Sequence, residues 1–150
     1  MRARQEIVVS ALVLRHPEED SLLMVRKRGT TSFMLPGGKP EPGETAEAAI
    51  VREISEELGF APDPADLVEL GTWTTAAANE AGHTVTGTVF LHRGLPAGLD
   101  VQAPRVLEEI EEAGWYSWDH LPADTSDRQF APLTRNHVIP ALPDWFRAGA

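Results

Sequence analysis

Glu44, Arg52, Glu53, Glu56 and Glu57 stand close together in one stretch of the chain, Gly38 to Phe60. On a helix, Glu53 shares a face with the residues three and four positions on, Glu56 and Glu57. Three like charges on one face cost free energy unless something compensates them. A divalent cation is a natural compensation, and hard carboxylate oxygens on a rigid helix suit Mg2+ or Mn2+. The alternative is a solvated acidic face steadied by Arg52 pairing with Glu56 at i, i+4.

The elements needed to position these groups are legible around them. Thr45 to Leu58 has helix-forming alanines at 46, 48 and 49, with Glu44 and Glu47 at the end where the helix dipole favours negative charge. Thr45 is a candidate N-cap, and Gly59 followed by Pro62 is a stop signal. Ile50, Val51, Ile54 and Leu58 recur at helical spacing and predict a core-facing stripe opposite the glutamates. The preceding loop, LPGGKPEPGET, combines Gly37, Gly38 and Gly43 with Pro36, Pro40 and Pro42. Its glycines reach conformations closed to other residues and its prolines stiffen the path, so it can carry a backbone carbonyl to the carboxylates. Read alone, it is equally a surface loop of turn residues.

Taken together, Gly38, Glu44, Arg52-Glu53, Glu56-Glu57 and Gly59 have the types and spacing of the Nudix signature, which this stretch resembles at every fixed position. The resemblance implies a Nudix fold, an α/β/α sandwich with a central mixed β-sheet. It implies hydrolysis of a nucleoside diphosphate linked to another group, by attack of water at phosphorus with a divalent metal cofactor, Mg2+ or Mn2+ in its place. It also implies roles. The Gly38 carbonyl, Glu56 and Glu57 are metal ligands, and Glu53 is a ligand or the general base. Arg52 orients the glutamates, and Glu44 supports the junction of loop and helix through a salt bridge. A further acid from outside the motif often completes the metal site in this family, and Glu109 and Glu112 are the candidates here, with Glu80 weaker. Three marks of subfamilies are missing: Thr75 stands where many ADP-ribose hydrolases carry proline, Ala77 lies in the region where dinucleoside polyphosphate hydrolases carry tyrosine, and the long motif of the NADH-cleaving group is not found. A nucleoside triphosphate, including oxidised forms, is therefore the default substrate. A nucleotide sugar or other nucleoside diphosphate derivative is the alternative, and a non-catalytic nucleotide sensor is the rival from another class.

Along the rest of the chain, Ile7 to Arg15 and Ser21 to Arg28 read as buried strands forming a hairpin. Ser32 to Leu35 is a short strand delivering the loop. Val68 to Ala78 and His83 to His92 are strands joined by turn residues, Glu109 to Trp118 is another strand, and Leu133 to Leu142 is a short helix interrupted at Pro140. Strands on both sides of a central helix indicate an α/β class. With 150 residues and 42% apolar content the chain suits a single domain, residues 1–150.

The formal charge is −10. Such a surface does not attract nucleic-acid polymers or anionic membranes, and it repels a free nucleotide unless cations reverse the local field. Arg26, Lys27, Arg28 and Lys39 cluster in sequence around the loop and are candidates for holding phosphate; the alternative is ordinary exposed charge on a strand and turn. Phe33, Trp73, Trp115 and Trp118 are candidates for base stacking, with core packing the commoner use of such rings. Asp127 and Asn79 are candidates for contacting a base. Scattered histidines with no His-Glu-x-x-His spacing argue against a histidine zinc site. The chain has no cysteine and no apolar run near the ~20 residues that span a bilayer, and no signal-peptide core follows Met1. These features fit a cytoplasmic protein. The resemblance adds that homodimers are common in the family.

Overall fold

The structure is a computed structural model that describes residues 6–78 and 82–149. The described residues form eight strands: β1 (Glu6–Val13), β2 (Ser21–Lys27), β3 (Ser32–Met34), β4 (Gly37–Gly38), β5 (Leu67–Ala76), β6 (Thr84–His92), β7 (Ile110–Ser117) and β8 (Gln129–Phe130). The long helix α1 (Ala46–Leu58) lies between β4 and β5. The chain ends in a π-helical segment, Leu133–Val138, a short α segment, Ile139–Ala141, and a last turn, Asp144–Arg147.

The expected α/β class and mixed pairing are present, and the strands divide into two mixed four-stranded sheets. One has the order β4-β1-β6-β5, with β1 and β6 parallel; the other has the order β7-β2-β3-β8, with β3 and β8 parallel. The hairpin expected between the first two strands does not form. Both edges of β1 are taken, by β4 and β6, so β2 pairs with β7 and β3 instead. Among the described residues, backbone pairing between the two segments is the isolated Arg15–Leu22 bridge just beyond β1, with the His16 N–H donating to the Ser21 carbonyl and the Leu23 N–H to the Leu14 carbonyl.

Strand alternation explains why helical segments cover both faces. Leu12, Leu14, Leu23, Val25 and Phe90 face one side, where Ile50, Ile54 and Leu58 of α1 close a buried cluster. Ala11, Val13, Leu22, Met24, Val89 and Leu91 face the other, against Leu133, Val138, Leu142 and Phe146. The result is a layered sandwich with α1 on one side and the C-terminal segments on the other. The C-terminal side is locked by Arg15, which donates to the Phe146 and Arg147 carbonyls, pairs with Asp20 at 2.9 Å and stacks over Trp118.

Helix α1 begins and ends as its sequence dictates. The Thr45 hydroxyl accepts from the Ala48 N–H at 3.1 Å, satisfying one orphan donor of the first turn. Gly59 ends the helix in the left-handed region at φ 77°, its N–H bonded to the Ser55 carbonyl.

Candidate active site

Loop and helix meet around Arg52. Its guanidinium grips both carboxylate oxygens of Glu44 at 2.9 Å, donates to Glu53 Oε1 at 2.9 Å and to Glu56 Oε2 at 3.3 Å, and reaches the Lys39 carbonyl at 3.0 Å. A planar fork can hold all these oxygens at once, which a point-charge ammonium cannot do. The Arg52 hydrogen bonds, with a backbone N–H donated by Glu41, hold the Glu44 carboxyl down at about 2, and Glu44 first, then Glu53, raise the Arg52 pKa. Arg52 therefore fixes the loop to the helix and turns Glu53 and Glu56 toward itself.

Glu57 has a different environment. It is 2% exposed and its Oε1 accepts from the Gly37 N–H at 2.9 Å. Burial pushes its carboxyl up to about 8, the Gly37 N–H opposes that rise, and the neighbouring Glu53 charge adds to it. A carboxylate in such a place calls for a cationic partner. Gly37 is required by close approach to backbone, and Gly38 leaves the space that the Glu53 carboxylate fills. A β-carbon on Gly37, at φ 153°, would strike the Ser10 carbonyl of β1, and one on Gly38 would collide with the Glu53 carboxylate. The two glycines pair with Ala11 and Ser10, and the Ser10 hydroxyl donates to the Ala46 carbonyl at 2.9 Å. A single strand residue thus ties β4 and the start of α1 together.

The donor set, carboxylates and a backbone carbonyl, suits a hard divalent cation. In the arrangement described, Glu53 and Glu56 turn to Arg52 and Glu57 turns to Gly37. Among the described residues, no three acidic or histidine side chains are gathered into a ready metal cage.

A cleft of about 390 Å³ opens beside these groups. Gly38, Lys39, Glu53, Lys27 and Glu109 line its charged end. Ile7, Val9, Ala76, Val85 and Leu133 are among the residues of its aliphatic end. The chain's two lysines thus reach the cleft, whereas Arg26 and Arg28 do not line it: they are paired with Glu112 at 2.7 Å and Glu111 at 3.1 Å across β2 and β7. Glu109 is at the cleft, held by Lys27 at 3.3 Å, while Glu112 belongs to the ladder with Arg26. Glu108, at φ 54°, shapes the turn that brings Glu109 there, and the adjacent Leu107 N–H donates to the Glu57 carbonyl.

Phe33 is packed in the core against Tyr116 and Phe130, so the structure does not place it as a stacking surface. Trp118 is buried, Trp115 donates its indole N–H to the Val101 carbonyl, and Trp73 stacks on His137. Asp127 is exposed in a turn capped by Thr125 and does not line the cleft. Asn79 and Glu80 lie outside the described residues. Sequence reasoning missed Ser10, Leu133 and Thr134 at the cleft. A serine inside an otherwise apolar strand was a signal for the first; nothing local distinguished the other two.

Comparison with known proteins places the chain in a family. The family model for the NUDIX domain matches residues 5–136. The chain is 32% identical over 127 residues to the mouse (Mus musculus) 8-oxo-dGDP phosphatase NUDT18, covering 81% of this chain and 36% of that protein. It is 32% identical over 118 residues to the ADP-ribose pyrophosphatase of Methanocaldococcus jannaschii, covering 75% of this chain and 64% of that one. The chain thus spans less than two thirds of the length of either relative. The crystal structure of a MutT NUDIX hydrolase from Burkholderia pseudomallei superposes with a TM-score of 0.63 at 26% identity, over 82% of this chain and 92% of that one. The MutT protein of Methanosarcina mazei superposes at 0.60 with 21% identity, over 99% and 93%. With the family model matching residues 5–136, most of its length, the chain belongs to the Nudix family.

Proposed function

We propose that this chain is a divalent-cation-dependent hydrolase that cuts a phosphoanhydride bond by attack of water. Its substrate is a nucleoside triphosphate, oxidised forms included, and its products are the monophosphate and pyrophosphate. The observation that carries this reading is the Gly37-Gly38 pair at the charged end of the cleft, with Glu53 lining that end beside Gly38 and buried Glu57 accepting from the Gly37 N–H. The relatives named above act on 8-oxo-dGDP and ADP-ribose, both of which contain a phosphoanhydride link.

Glu53, Glu56, Glu57 and the Gly38 carbonyl are the proposed holders of Mg2+, with Glu109 completing the set from the turn before β7. When bound, the ion supplies positive charge against the phosphate oxygens and activates water. The remaining work is positioning and electrostatics, as phosphoryl transfer requires. Lys27 and Lys39 offset the substrate's charge in an acidic protein. Arg52 keeps Glu44, Glu53 and the Lys39 carbonyl in register. Glu53 is the motif glutamate that lines the cleft, which makes it the candidate to accept the proton of the attacking water.

The test is turnover by wild type and Glu57→Gln with and without Mg2+. Metal-dependent turnover that falls by a factor on the order of 10² or more in the variant is expected; equal turnover in the two proteins sinks the site assignment. One observation favours a second reading, a nucleotide sensor: Arg52 already occupies Glu53 and Glu56. That reading predicts a rise in melting temperature with nucleotide and no turnover.

A further inference from the structure

The aliphatic end of the cleft has an architecture of its own. The C-terminal segment enters it at Leu133 and Thr134, the first residues of the π-helical stretch Leu133–Val138. Leu133 lies there because β6 carries Gly87: a β-carbon at that position would come within 2.7 Å of Leu133 Cδ2. The side chain therefore rests directly on the sheet beside Val9, and Val85 and Ala76 extend the same wall. Among the described residues, those lining this cleft include no aromatic ring, no asparagine or glutamine, and no acid beyond Glu53 and Glu109 at the charged end.

We propose that Leu133, seated on Gly87, is the specificity-determining wall of the site, and that it selects substrate by shape and apolar burial. This deepens the reading above and rests on it for the identity of the charged end. The consequence is a substrate class: nucleotides whose bases are told apart weakly. A pocket built to hydrogen-bond a base edge rejects the wrong one by about 10⁴–10⁵, because its polar groups are left unpaired, whereas an aliphatic pocket discriminates by only about 10–200-fold. Oxidation of the base at one edge then changes recognition little.

Titration calorimetry of the full chain with AMP, GMP, CMP, UMP and 8-oxo-GMP in Mg2+ reads this independently of turnover. All five bind, with dissociation constants spread over no more than about 200-fold. Leu133→Ala weakens every one of them. Because Leu133 is also a core residue, Gly87→Ala is the second variant: its new methyl clashes with the flexible end of Leu133 at 2.7 Å, touches Val9 at an ordinary 3.5 Å, and so displaces the Leu133 side chain from its seat. A uniform loss of about tenfold or more across the five ligands is expected there. A base preferred beyond the 200-fold band, absence of binding, or unaltered binding in Gly87→Ala overturns the inference. Binding that follows the expected pattern in a chain that hydrolyses nothing upholds the inference and removes the hydrolase reading alone.

Discussion

Replacing Glu57 by Gln should stabilise the metal-free protein as the pH rises, while removing its response to metal. The glutamine side chain has nearly the same shape as that of Glu57 and still offers an oxygen to the Gly37 N–H, so the change isolates the charge. The Glu57 carboxyl moves from an ordinary 4.5 up to about 8 on folding, chiefly through burial. The folded pKa is raised, so below 4.5 the group is neutral in both states and costs nothing. As pH climbs toward 8 the unfolded chain ionises first and folding must retain a proton, so stability is progressively lost. Each pH unit inside that window is worth about 1.4 kcal/mol, so from about pH 5 to about pH 7.5 the wild type loses about 3 kcal/mol that the Gln variant keeps. For a chain of this length that is on the order of 6–12 °C in melting temperature. Thermal melts of both proteins with EDTA across this range give the difference, in which the titrations of the other carboxylates cancel. Adding Mg2+ at about pH 7.5 should raise the wild-type midpoint and leave the variant's unchanged. Parallel pH curves for the two proteins would refute the reasoning that links burial of Glu57 to its demand for a cation.

Three further outcomes follow from the same geometry. Gly38→Ala puts a methyl where the Glu53 carboxylate lies; turnover should fall on the order of 10²-fold, as expected of a misplaced catalytic group, with the secondary structure retained in circular dichroism. Arg52→Lys loses the fork that holds Glu44, Glu53 and the Lys39 carbonyl, so kcat should drop in steady-state kinetics and the melting temperature should decrease. Phe33→Ala should cost about 3–5 kcal/mol in urea unfolding, the range for a buried aromatic in a core, and KM should stay unchanged in whatever protein remains folded.

The site was legible where the chemistry is local. Thr45 caps the start of α1 with its hydroxyl, Gly59 ends it because a residue without a β-carbon reaches the left-handed region, and the stripe of Ile50, Ile54 and Leu58 is buried as its spacing requires. The glutamates could be placed on one face because a helix repeats. What escaped is set by contacts distant in sequence. Nothing near Gly37-Gly38 announces a two-residue strand on β1, because the pairing depends on Ser10 and Ala11. The first two strands read as a hairpin because their pattern and turn fit one; the competing claim of β6 on β1 is invisible locally. Arg26 and Arg28 looked free beside the loop, yet Glu112 and Glu111 on β7 neutralise them across the sheet. The expected C-terminal helix with Pro140 is a π-helical stretch leading into a short α segment. Proline has no N–H to close an i→i−4 bond, which interrupts regular α pairing there. Leu133 gave no local sign of facing a cleft, because its position is set by the space above Gly87.

The central claim is that Glu53, Glu56 and Glu57 work with a divalent cation to hydrolyse a phosphoanhydride. The most direct measurement is phosphate release from nucleoside triphosphates, their oxidised forms, nucleotide sugars and dinucleotides, coupled to pyrophosphatase or phosphatase as each product requires, with Mg2+ and with EDTA. Turnover that requires Mg2+, favours the triphosphates and disappears in Glu57→Gln is the predicted result. Turnover that persists in EDTA, or none with any compound while nucleotide still raises the melting temperature, would contradict it.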